Sequence, residues 1–103
     1  MSNQKILVEL VDAPIDSEAF RSTLDDPDVG AHGWCVGVTR RTTGDRVTDT
    51  LSYQAHHAMA KSELEKLAQQ AIDKFSLSRV VIVHRLGEVP VGQASVVVGC
   101  SSG

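Results

Sequence analysis

The chain has 103 residues, 42% apolar and 22% charged, which fits one globular domain over 1–103 with a single modest core. A net charge of −3 excludes a general basic field for nucleic acid or an anionic membrane. No apolar run approaches the roughly 18 residues of a membrane span, and MSNQKILVEL does not read as a signal peptide, so a cytoplasmic protein is expected.

In chain order, Lys5–Val11 (KILVELV) is a short apolar, β-branched run and is predicted as a strand. Ala13-Pro14 closes it, and Asp16 is placed to cap a short helix with Phe20 and Leu24 one helical repeat apart. Asp25-Asp26-Pro27-Asp28 is turn chemistry. Gly30–Arg41, GAHGWCVGVTRR, then joins three glycines, the one tryptophan, Cys35 and two closing arginines, and is predicted as a second strand that another backbone approaches closely, either delivering an arginine fork to an anion or simply buried with its two arginines solvated. Thr42–Arg46 is expected to be a hairpin or short loop. Val47–Ala55 is expected to be the returning strand, with one mostly apolar face and one polar face turned to solvent.

From Ala58 to Phe75 no glycine or proline intervenes, and Leu64, Leu67, Ala68, Ala71, Ile72 and Phe75 recur at spacings of three and four. That spacing predicts a helix whose apolar stripe covers a sheet. Arg79–Arg85 (RVVIVHR) is continuous and apolar between charges, as in a central strand buried on both faces. Gly87–Gly92 is expected to be a long turn in which Pro90 excludes regular pairing, and Gln93–Cys100 a last strand. The succession predicts an α+β domain, a mainly antiparallel sheet with two packed helices.

Little catalytic chemistry is legible in these elements. The four histidines share no ligand spacing with cysteines or carboxylates, so no metal site is expected. Cys35 and Cys100 lie far apart and are expected to be buried free thiols. The glycines of Gly30–Gly37 do not form a dinucleotide or phosphate-loop fingerprint. What remains is a set of arginines at strand ends. If the strands of Arg40 and Arg85 are neighbours, their guanidiniums converge on one phosphate or carboxylate; otherwise they pair with acids such as Asp45 or Glu88.

Three motifs, taken in order, resemble the large catalytic subunit of molybdopterin synthase. Gly30-Ala31 with Gly37-Val38-Thr39-Arg40 is similar to that family's Gly-Ala…Phe-x-Gly-x-Val-Arg signature, with Cys35 and Thr39 departing from it. Leu51–His56 followed by Met59 is similar to its Leu-x-Tyr-Glu-x-Tyr…Met segment, with Gln54 and His56 departing. His84-Arg85-Leu86-Gly87, then Gly92 and Val96-Val97-Val98, is similar to its third motif. The resemblance implies an α/β-hammerhead fold and a homodimer that binds a ubiquitin-like sulfur carrier at each end, forming a heterotetramer. It also implies transfer of sulfur from the carrier's C-terminal thiocarboxylate to cyclic pyranopterin monophosphate, giving molybdopterin, with no cofactor of its own.

Position by position, it places Val38, Thr39 and Arg40 in the substrate-contacting segment, with Arg40 as the anion clamp. His84-Arg85 reads more as structural than as a ligand. The resemblance puts the family's catalytic lysines beyond Gly103, so no catalytic residue is expected within the chain. The alternative it leaves open is a non-catalytic module of the same fold that docks a sulfur carrier or an anionic ligand.

Overall fold

The computed structural model describes residues 5–43, 46–47, 50–53 and 57–103, and for those among them that fall in 42–57 the backbone alone. Four strands form the main sheet: β1 (Ile6–Val11), β2 (Ala31–Val38), β6 (Arg79–Arg85) and β8 (Ala94–Ser102). Their order is β1-β6-β8-β2, with β1 parallel to β6 and the other two pairs antiparallel. Helix α1 (Ser17–Ser22) and helix α2 (His57–Phe75) complete the α+β layering expected from the sequence.

Short strands lie between the larger elements. β3 (Thr42–Thr43) pairs antiparallel with β4 (Arg46–Val47), which is the expected hairpin; its Gly44-Asp45 tip lies outside the described residues. β5 (Thr50–Tyr53) pairs antiparallel with β7 (Gly87–Pro90). The single returning strand read over Val47–Ala55 is therefore divided between two partners, and its solvent-facing side lies outside the described residues.

Pro90 corrects a second expectation. It stands opposite Thr50 at the end of β7, where a missing N–H breaks no interior rung, so the proline is compatible with pairing.

Alternation in the central strands divides the core between two faces. Val8, Val80 and Ile82 meet Ala68 and Ile72 of α2, with Ile6, Leu64, Leu77 and Cys100 packed around them. On the other face Val81, Val83 and Val97 surround Leu24, with Phe20, Ile15 and Trp34 closing over them. Leu24 follows α1, whose start is capped by Asp16: its Oδ1 accepts from the Ala19 N–H at 3.2 Å. Arg21 binds Glu18 at 2.7 Å and Asp25 at 3.3 Å, and these contacts raise the arginine's pKa and lower that of Glu18.

Three burial expectations need correction. The helical stripe is only half covered, since Leu67 is 57% and Phe75 63% exposed while Ala68 and Ile72 are buried. The strand beginning at Gly30 is largely exposed rather than buried. Cys35 is exposed and Cys100 half-buried. All three have one cause: α2 packs against β1 and β6, so the outer part of its sheet face, on β8 and β2, has no helix over it.

Candidate functional site

The end of β2 is shaped by close packing. A Cβ on Gly37 would lie 2.7 Å from Val96 Cγ1, so the valine side chain occupies the space that any larger residue would need. Directly after it the register slips: Gly37 pairs with Val96, but Val38 pairs with Ala94. Ser95 is left within the bulge and donates its hydroxyl to the Gly37 carbonyl at 3.3 Å. A one-residue slip exchanges faces for everything that follows. Val38 beside it is 54% exposed, and the next residue, Thr39, is brought against Gln93.

Thr39 is held at both backbone groups. Its N–H donates to the Gln93 carbonyl at 3.1 Å, and its carbonyl accepts from the Gly92 N–H at 2.9 Å. Gly92 has φ +84°, a conformation that favours glycine, and so allows the turn to reach back. The Thr39 side chain is 2% exposed, and its hydroxyl has no hydrogen-bond partner. Arg40 and Arg41 then emerge as exposed cations, and neither joins an ion pair among the described residues.

Arg85 ends β6 and is 9% exposed. Its Nη1 donates to Gln93 Oε1 at 2.6 Å, while its Nε is buried with no partner. Gln93 therefore joins the two strand ends, binding Thr39 through its backbone and Arg85 through its side chain. The strands of Arg40 and Arg85 are not neighbours, because β8 runs between them. The pairing expected for Arg85 with Glu88 is also absent among the described residues; its recorded partner is the neutral amide. Gln93 carried no signal in the sequence, since a lone glutamine at a strand start is ordinary.

Beyond this corner the sheet presents apolar hollows on the α2 side. One of about 370 Å³ is lined by Cys35, Val98 and Cys100 opposite Ala71 and Phe75. Another of about 380 Å³ lies between Leu64, Ile82, Val96 and His84. Burial holds His84 below the usual imidazole range, because the imidazolium would be poorly hydrated there. These surfaces suit packing more than chemistry. Among the described residues no group of three His, Cys, Asp or Glu side chains comes together to hold a metal ion. The polar corner at Thr39, Arg40, Arg85 and Gln93 is the candidate site.

Comparison with known proteins assigns this architecture. The family model described as MoaE protein matches residues 10–103. The chain is 37% identical over 100 residues to the molybdopterin synthase catalytic subunit of Aspergillus oryzae, covering 97% of this chain and 56% of that one. It thus spans about half the length of that relative. Among solved structures it resembles molybdopterin synthase from Staphylococcus aureus with a TM-score of 0.84 at 28% identity, over 91% of this chain and 69% of that one. Its fold is also that of a chain in the complex of subunits 1 and 2 of molybdopterin-converting factor from Helicobacter pylori, with a TM-score of 0.72 at 21% identity, over 92% and 64% of the two chains. The register slip, the Thr39–Arg40 exit and the sheet that carries them belong to a domain of known lineage: the chain is a member of the MoaE family.

Proposed function

We propose that this chain serves molybdenum cofactor biosynthesis as the catalytic subunit of a molybdopterin synthase. In that role it promotes transfer of sulfur from a thiocarboxylated ubiquitin-like carrier to cyclic pyranopterin monophosphate. The observation that carries the reading is the family match across residues 10–103, which includes the whole Gly37–Arg40 exit. In this chemistry the carrier supplies the sulfur nucleophile. The work left to the subunit is to bind an anionic pterin and hold two reactants in reach of one another. An exposed arginine directly after a residue whose backbone is held at both groups suits that task, because little backbone freedom is lost on binding. Val38, Thr39 and Arg40 form the substrate-contacting segment, with Arg40 facing the phosphate.

The partner in this reading is the small sulfur-carrier subunit, in keeping with the two-subunit assembly of the Helicobacter pylori protein. A homodimer at the centre of a heterotetramer follows from the same reading, and the exposed apolar residues Val38 and Val98 give it a surface to cover. A cytoplasmic setting is part of the proposal, and among the described residues no helix is long and apolar enough to cross a membrane.

The test is a single-turnover reaction of the chain with thiocarboxylated carrier and pyranopterin precursor, reading the carrier's mass and the pterin product together. Sulfur loss with product formed is the expected outcome; binding without sulfur loss would replace catalysis by a docking role. Arg40→Ala should weaken precursor binding by about 1.5–3 kcal/mol, the scale of a hydrogen bond to a charged group. Unchanged affinity would remove Arg40 from the site.

A further inference from the structure

Arg85 is unusual for a buried cation. A guanidinium keeps its charge at any physiological pH, and arginine is rarely buried without an acidic partner. Arg21, at the surface, has two carboxylates; Arg79 is half-buried and donates to the Thr23 carbonyl at 2.6 Å. Arg85 is more deeply buried than either, and its recorded partner is one neutral amide. Nη1 is taken by Gln93, which leaves the side-on edge formed by Nε and Nη2 without a partner among the described residues. That edge is the fork which grips two oxygens of a phosphate or carboxylate.

A second unpartnered donor lies at the same corner. Thr39 Oγ1 is buried without a hydrogen bond, and Gln93 ties its residue to Arg85. Gln93, past the register slip after Gly37, is the residue that both are bound to. The other buried hydroxyl without a partner, Ser101, sits opposite Arg79 at the far end of β6 and plays no part here.

We propose that the Nε–Nη2 edge of Arg85 and the hydroxyl of Thr39 together bind one oxyanion, a phosphate or a carboxylate, at a subsite distinct from Arg40. The anion neutralises the buried guanidinium and satisfies both orphaned donors at once. Within the proposed sulfur transfer, on which this extension rests, it would anchor a charged group of a reactant on the sheet, at a point separate from the one that Arg40 contacts. The binding itself depends on Arg85 and Thr39 and stands apart from any turnover.

The experiment titrates the 103-residue chain with inorganic phosphate and, separately, acetate at constant ionic strength, followed by calorimetry and thermal melting. Saturable binding with a rise in melting temperature is expected for one of them, and the preferred anion identifies the group as phosphate or carboxylate. Arg85→Lys, which keeps the charge and loses the fork, should weaken that binding by about tenfold or more. Thr39→Val should weaken it by roughly three- to tenfold, yet raise the melting temperature without anion, because it removes a buried unpartnered hydroxyl. Arg40→Ala should leave it within about twofold, since a point charge outside the fork contributes little to a short-range contact. No saturable binding of either anion, or equal binding by wild type, Arg85→Lys and Thr39→Val, overturns the proposal. Loss of precursor affinity in Arg40→Ala with phosphate binding intact separates the two sites; intact precursor affinity with Arg85-dependent phosphate binding would sink the Arg40 assignment alone.

Discussion

The two faces of the four-stranded sheet are covered by very different means. On one, α2 supplies 19 residues, yet it reaches only β1 and β6 and leaves Val98 and Cys35 uncovered. On the other, a six-residue helix and the turn after it seal Val81, Val83 and Val97. The length of the covering element does not explain the difference; β2 does. Alternation sends Trp34 to the sealed face and Gly33, Cys35 and Gly37 to the open one. The indole spans Gly99 on the neighbouring strand, where an added Cβ would meet it at 2.4 Å. The edge strand thus closes one face with the indole and gives the other only the small Cys35 side chain between two glycines.

The sharpest way to break this contrast is Leu24→Ala. Leu24 is fully buried among valines from three positions of the central strands, and α1 is too short to close over a cavity there. A loss of about 2–5 kcal/mol is expected, measured by urea unfolding. A loss under about 1 kcal/mol would mean that the sealed face collapses readily and is not closed by this plug.

Gly99→Ala asks the same question from the sheet side. Its new methyl would collide with Trp34 at 2.4 Å and with Leu24 Cδ1 at 2.9 Å, so the indole must tilt off its strand. Overpacking of this kind costs about 1–3 kcal/mol. Indole fluorescence should shift to the red in the folded state as the ring becomes more hydrated. An unchanged stability and spectrum would show that Trp34 moves freely, removing it as the element that closes the face.

Most of the fold was legible because its signals are local. The β-branched runs of β1, β6 and β8 and the uninterrupted periodicity of α2 each fall within a few turns or rungs of chain. Leu67 and Phe75 were misplaced because helical periodicity states which residues share a stripe, not how wide the covered sheet is. Cys35 was misplaced for the same reason, since burial of an edge strand depends on what lies beside it. At the candidate site, the Gly37–Arg40 run was visible through its residue types. Gln93 was not, because its role is to join two strand ends brought together only by the β6-β8-β2 order.

The smallest effect concerns His84, which sits on the open face where Leu64, Ile82 and Val96 form one of its hollows. Burial lowers its pKa from 6.5, although Glu63 at the same hollow would favour the imidazolium when ionised. The unfolded chain therefore binds the proton more readily than the folded one. Stability contributed by the neutral ring is complete above about pH 6.5, declines as pH falls from there to the folded-state pKa, and levels off below it. Unfolding measured at pH 7.5 and at pH 5.5 should show a larger acid-side loss for the wild type than for His84→Gln. Subtracting the two removes the contribution of every other titrating group common to both. Equal losses would mean that water reaches the imidazole as freely as in the unfolded chain. The open face would then be open along its whole length, rather than only beyond the reach of α2.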